Sequence, residues 1–114
     1  MANNAAAPAS KDSIVASLSA ASHAALLVAQ AESGAEAHKL YLQYTSLSLD
    51  LMNAIQSDLK AGANLATLAT IQSDLDSATA VIKKNLDTLK DVQKWITILD
   101  DVVQVAAKVA PFFV

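Results

Sequence analysis

The chain has no cysteine and no arginine, and it has only two glycines and two prolines among 114 residues. The lack of cysteine excludes disulfide scaffolds, thiolate metal sites and cysteine nucleophiles. The shortage of glycine and proline excludes collagen-like and low-complexity classes, and Gly34 and Gly62 lie too far apart to form a phosphate-binding loop. A cysteine-free chain fits a reducing compartment, so we expect a cytoplasmic protein.

Basic charge is also scarce, since the formal net charge is −3 and the eight basic residues are all lysines. Recognition of bases and phosphates relies heavily on bidentate arginine. The densest group of lysines alternates with aspartates, a pattern typical of an ion-paired helix face in contact with solvent. It comprises Lys83, Lys84, Lys90 and Lys94, with Asp87 and Asp91 among them. We therefore expect no nucleic-acid partner.

Apolar residues are the largest class in the composition of the chain. They make up 54% of the chain against 17% charged residues, which places the sequence far from disordered proteins. The length is enough for one domain. Residues 1–10 contain Pro8 and small residues, which predicts a flexible N-terminal tail. Residues 11–114 are predicted to form a single helical-bundle domain.

The first predicted helix, helix A, covers residues 11–33. Ser10 is a suitable N-cap, and Gly34 provides a C-terminal position that can adopt a positive φ. The apolar residues of helix A are mostly small and recur at spacings of four and three, so close packing against a neighbouring helix is expected. They are Ile14, Leu18, Ala21, Ala25 and Val28.

Helix B is predicted over residues 35–61, with Gly62 as its end. It has two apolar stripes: the first is Leu40, Tyr44, Leu47, Leu51 and Ile55, and the second is Leu42, Leu49 and Met52. A helix with two apolar faces is expected to be covered on two sides. Helix B is therefore predicted to be the central helix.

The strongest pattern is an apolar repeat with alternating spacings of three and four over residues 63–110, a region without glycine or proline. It predicts one continuous, coiled-coil-like helix C, roughly 70 Å long at 1.5 Å per residue. The predicted fold is an all-α antiparallel helical bundle of three main helices, with this long helix at the C-terminus. The alternative is a four-helix bundle in which helix C bends near Asn85–Asp87.

Helices A and B are too short to cover all of helix C, whose C-terminal half has the wider apolar face. We therefore expect this half to pair with another protein or with a second copy, most simply as a homo-oligomer. The predicted interface residues are Trp95, Ile96, Leu99, Val102, Val103, Val109 and Phe112. Residues 111–114 are interpreted as a cap on the core, with an exposed apolar anchor as the alternative.

The sequence contains no pattern typical of catalysis or of metal binding. A di-iron bundle needs Glu-x-x-His pairs, and the only glutamates, Glu32 and Glu36, have no histidine three residues later. With His38 they are interpreted as a solvated cluster at a helix terminus. No serine lies in a Gly-x-Ser-x-Gly turn. We predict no catalytic residue, no cofactor and no metal site.

The predicted function is helix-mediated protein–protein interaction by a non-enzymatic protein, as a small scaffold, adaptor or inhibitory partner. The alternative is a membrane-active helical protein or a component of an α-helical pore-forming system. It is motivated by the apolar residues 102–114 and by the uncharged residues 13–31. The latter are rich in alanine and serine, so neither a transmembrane helix nor a signal peptide is predicted. A third possibility is a small-ligand site near Tyr41, Tyr44 and Trp95.

Overall fold

Four α-helices account for most of the residues that the computed structural model describes, which are residues 9–114. They are α1 (Lys11–Ala31), α2 (Ala37–Gln56), α3 (Leu65–Asn85) and α4 (Val92–Ala107), and a short 3-10 helix follows at Ala110–Phe112. The all-α class predicted from the sequence is confirmed. Residues 1–8 of the predicted N-terminal tail lie outside the described residues.

Two serines fix the start of α1. The Ser13 backbone N–H donates to Ser10 Oγ at 3.1 Å, and the Ser10 N–H donates to Ser13 Oγ at 2.8 Å. This reciprocal capping box satisfies two N–H groups that have no partner inside the helix. It confirms Ser10 as the N-cap, and Gly34 has the expected positive φ, 98°, in the loop that follows α1.

The predicted helix C is not continuous, because α3 ends at Asn85 and α4 begins at Val92. The prediction of one helix over residues 63–110 is therefore wrong, and the structure contains the alternative, a turn that begins at Asn85. The Asn85 carbonyl accepts hydrogen bonds from the N–H groups of Thr88 and Leu89 at 3.2 and 2.9 Å. These two bonds close the turn without glycine or proline.

Two side chains fix the start of α4 after this turn. The Asp91 carboxylate accepts hydrogen bonds from the N–H groups of Gln93 and Lys94 at 3.0 and 3.4 Å, which makes Asp91 the N-cap. The indole N–H of Trp95 donates to the Leu89 carbonyl at 3.1 Å. The buried indole thereby keeps a hydrogen-bond partner, and its ring holds the turn against the core.

The helices α2 and α3 lie at opposite corners of the packing, because each packs against α1 and α4 rather than against the other. The hydroxyls of Ser22 and Ser48 are 2.9 Å apart, and Lys11 Nζ lies 3.7 Å from Asp58 Oδ1. These contacts join the middle of α1 to the middle of α2, and the start of α1 to the loop after α2. The two helices are therefore antiparallel.

The neighbours α2 and α4, by contrast, run in the same direction. Glu36, just before α2, accepts a hydrogen bond from Gln93 at the start of α4. Ala54 and Ala106, near the far ends of the two helices, line the same cavity. The packing therefore combines antiparallel and parallel neighbours. The Cα trace measures only 16 Å in its thinnest direction, which accommodates two layers of helices at the usual spacing of about 8–10 Å.

The central helix is α1, not the predicted helix B. Nine residues of α1 are buried, against four in α2. Most of the nine are alanine or serine, whose small side chains let α1 approach its neighbours closely, as the sequence predicted. Because α2 is covered by α1 and α4 on one side only, one of its two apolar stripes is left outside.

The C-terminal tail is fastened to the loop that follows α2. The Lys60 N–H donates to the Phe112 carbonyl at 2.9 Å, and the Val114 N–H donates to the Asp58 carbonyl at 3.0 Å. Phe112 and Phe113 are half-buried and pack against the core. Both phenylalanines therefore cover the end of the core, and Val114 is the exposed apolar residue of the tail.

Replacing Asp91 with alanine tests the break between α3 and α4. Loss of the cap leaves two N–H groups of α4 without their acceptor, so we expect the free energy of unfolding to fall by about 1 kcal/mol. Urea denaturation would measure this beside Asp87→Ala, which removes the same charge from an exposed position in the same turn. In a continuous helix, alanine at position 91 would be neutral or stabilising, and that result would contradict the break.

Candidate functional site

The seven residues predicted to form an interface belong to the core of the single chain. Four are buried and three are half-buried against the core. The buried ones are Trp95, Leu99, Val102 and Val109, and the half-buried ones are Ile96, Val103 and Phe112. The prediction of an exposed apolar face on the C-terminal helix is therefore wrong. The physical reason is the turn after Asn85, which folds α4 back onto α2 and α3.

The exposed apolar surface lies instead on the outer side of α2. Six positions there alternate at spacings of four and three, which places them in one line along the helix, and all six are exposed. They are His38, Leu42, Thr45, Leu49, Met52 and Gln56, and we call them the α2 stripe. Leu42, Leu49 and Met52 are 57%, 56% and 51% exposed. Tyr41 and Ile55 flank the stripe and are 41% and 52% exposed.

The α2 stripe carries no formal charge. The charged residues within α2 are Lys39, beside its N-terminal end, and Asp50, which lies away from the stripe and lines a cavity. From the sequence, Leu42, Leu49 and Met52 form a second apolar face of helix B, which is predicted to be covered. The structure leaves this face exposed.

The equivalent surface of α3 has a different composition. α3 occupies the opposite corner of the packing and is similar in length, with 21 residues against 20 in α2. Its exposed residues are mostly polar or charged, and they include Thr67, Thr70, Ser73, Asp74, Asp76, Ser77, Lys83 and Lys84. Corner position alone therefore does not account for the apolar character of the α2 stripe.

A small cavity lies to one side of the stripe, where α2, α4 and the C-terminal tail meet. Its volume is about 290 Å³, at the lower limit of cavities that hold drug-sized ligands. Asp50, Asn53 and Ser57 give it polar groups, while Val109 and Phe113 contribute apolar walls. Burial raises the pKa of the Asp50 carboxyl above its ordinary value of 3.8.

The aromatic ligand site considered from the sequence does not form. Tyr41 lies on the outer surface of α2, whereas Trp95 is buried with its indole N–H bonded to the Leu89 carbonyl. Tyr44 is half-buried against the core. Tyr41 and Trp95 therefore do not share one pocket.

The cluster near the α1–α2 loop is a set of surface contacts. The Glu36 carboxylate accepts a hydrogen bond from Gln93 and lies 3.6 Å from Lys39 Nζ, while His38 belongs to the α2 stripe. In residues 9–114, no three histidine, aspartate or glutamate side chains lie close enough together to hold a metal ion.

Among the helices that the structure describes, one, α1, is long and apolar enough by length and composition to cross a membrane. Half of its most apolar window is buried inside the molecule, and core helices pass the same test. Ile14, Leu18 and Val28 of α1 are all buried in the core. The apolar character of α1 is therefore accounted for by its central position.

Comparison of this chain with protein-family models, with curated proteins and with solved structures gave no match. The candidate site is thus defined by its own geometry. It consists of an uncharged apolar stripe on the outer face of α2, with a small cavity beside one flank of that stripe.

Replacing Asp50 with asparagine tests the effect of burial on this carboxyl. A carboxyl whose pKa is raised on folding contributes stability that is complete below its unfolded pKa, near 3.8, and is lost as the pH rises through the folded pKa. Asp50→Asn should therefore unfold at higher urea concentration than the wild type at pH 7, and this difference should shrink towards zero near pH 3. Asp76→Asn, at an exposed position of α3, controls for the loss of one negative charge. A pH-independent difference would contradict the role of burial.

Proposed function

We propose that this chain is a non-enzymatic helical protein that binds another protein through the α2 stripe, as a small scaffold, adaptor or inhibitory partner. The observation that supports this function is the exposure of Leu42, Leu49 and Met52 in one uncharged line. Apolar residues recurring every three or four positions are the usual contact pattern of a helix that packs into a groove or against another helix.

The size of the apolar surface fits this function. The five apolar side chains on and beside the stripe are each between 41% and 57% exposed. Together they present on the order of 500 Å² of surface, a size at which a patch on a monomer is often functional. Full burial of a leucine or methionine contributes roughly 1.5–3 kcal/mol, so covering these half-exposed side chains is worth about half as much for each.

The cavity beside Asp50 supports binding less strongly than the stripe, and it does not support catalysis. Asp50 has the one side-chain carboxyl among the residues that line it, and its polar neighbours are Asn53 and Ser57. General acid–base catalysis usually needs a second titratable group in reach of the substrate. We therefore keep the proposal of a non-enzymatic protein.

The membrane-active alternative has less support than protein binding. The two segments that motivated it contribute to the core of the molecule, because most apolar residues of α1 are buried, as are Val102 and Val109. A helix that lies on a membrane usually has a polar face rich in lysine, whereas Lys39 is the one lysine of α2.

A cytoplasmic location remains part of the proposal, and cell fractionation would test it.

Site-specific photo-crosslinking tests the proposed function with a matched pair of positions. Thr45 in the stripe and Thr70 on α3 are both exposed, and each hydroxyl donates to the carbonyl four residues earlier. With a photo-reactive residue at position 45, we expect a crosslinked protein in cells of the native host. The same residue at position 70 should give none, because the exposed residues of α3 are mostly polar or charged.

The crosslink from position 45 should disappear when Leu49→Asp is added, since a charge in the stripe opposes its burial. Circular dichroism would verify that each variant keeps its helices. Equal crosslinking from positions 45 and 70, or none from either, would contradict a binding role for the stripe.

A further inference from the structure

We propose that the protein covering the α2 stripe is a second copy of this chain, packed so that the two α2 helices run antiparallel about a two-fold axis near Leu47. This inference rests on the proposed function, because it names the partner of the same surface. It relocates self-association from the C-terminal helix to α2.

The positions of the stripe are symmetric about residue 47. When two stripes pair in opposite directions, His38 faces Gln56 of the second copy, Leu42 faces Met52, and Thr45 faces Leu49. The two polar positions at the ends of the stripe meet each other, and every inner layer contains at least one large apolar side chain. The stripe is thus complementary to itself in this register, as a two-fold interface requires.

The residues beside the stripe also match in this register. On one flank, Tyr41 lies opposite Ile55 of the second copy, which pairs two half-exposed apolar side chains. On the other flank, Lys39 lies opposite Asn53 of the second copy, so the lysine meets an uncharged partner. At these positions, no charged side chain of one copy faces a side chain of the same charge in the other copy. Repulsion between like charges therefore does not oppose self-association.

A parallel arrangement is less favourable for the same residues. It would bring His38 against His38, Thr45 against Thr45 and Gln56 against Gln56, which makes three of the six layers polar on both sides. It would also align the two helix dipoles, whereas antiparallel helices place opposite ends side by side. The antiparallel register is therefore the one that the sequence of the stripe favours.

The area of the stripe agrees with a dimer of modest affinity. Two patches of about 500 Å² bury on the order of 1,000 Å² in total, and flanking polar residues raise this towards the roughly 1,200 Å² at which specific interfaces begin. An uncharged surface offers no charge complementarity for an acidic or basic partner. A second copy, by contrast, supplies a surface of the same length and spacing.

Sedimentation equilibrium of the purified chain tests the association. We expect the wild type to dimerise with a Kd on the order of 10 μM, because interfaces larger than this one range from μM to pM and a smaller one belongs at the weak end. Leu49→Asp should raise this Kd about a hundredfold or more, because the substitution enters a two-fold interface twice. Val81→Asp, at an exposed apolar position of α3, should leave the Kd unchanged.

Single cysteine variants test the register, and the natural chain has no cysteine to interfere. His38→Cys and Gln56→Cys should crosslink through a short bismaleimide when the two variants are mixed. Neither should crosslink alone, because identical positions at the ends of antiparallel stripes lie roughly 27 Å apart at 1.5 Å per residue. Crosslinking of His38→Cys with itself would overturn the antiparallel register.

The outcomes separate this inference from the proposed function. A wild type that stays monomeric at 100 μM (about ten times the expected Kd), or a dimer that Leu49→Asp does not weaken, overturns self-pairing through α2. If position 45 then still crosslinks to a different protein, and Leu49→Asp abolishes that crosslink, the proposed function stands with another partner. If position 45 crosslinks to nothing in the native host, both proposals fail.

Discussion

The turn between α3 and α4 decides how the apolar surface of the C-terminal half is covered. It is held by the Asp91 cap on α4 and by the hydrogen bond from the Trp95 indole to the Leu89 carbonyl. Because the chain reverses there, α4 packs against α2 and α3 instead of extending beyond them. Leu99 and Val102 thereby become core residues, whereas a continuous helix would have left them to solvent or to a second chain.

The small residues of α1 set the remaining geometry. Alanines and serines on several sides of α1 allow the other helices to approach it closely, so α1 takes the central position. With α1 and α4 between them, α2 and α3 lie at opposite corners of a two-layer packing that is only 16 Å thick. A corner helix contacts two neighbours and keeps an outer face. The exposure of the α2 stripe is therefore a consequence of the central position of α1.

The sequence predicts features that depend on local chemistry. The all-α class, the cap at Ser10 and the positive φ of Gly34 follow from composition, capping residues and glycine, and all three are present. The sequence offers the break at Asn85 only as the alternative, because the apolar repeat continues through it and Leu86 and Leu89 still pack against the core. Periodicity shows that a face is apolar, but it does not show what covers that face. For this reason the sequence predicts an interface on α4, and it does not predict that the stripe on α2 is exposed.

The comparison of the two corner helices bears most directly on function. The side chains of Leu42, Leu49 and Met52 are each more than half exposed, so they contribute little to the core. Substitutions at such positions usually change folding stability only slightly, and an outer helix face is ordinarily filled with polar and charged helix formers. The outer face of α3 largely follows that rule, while the outer face of α2 has an uncharged apolar line at heptad spacing. The stability of the single chain does not explain this difference, whereas the proposed burial of the line against a second helix would explain it.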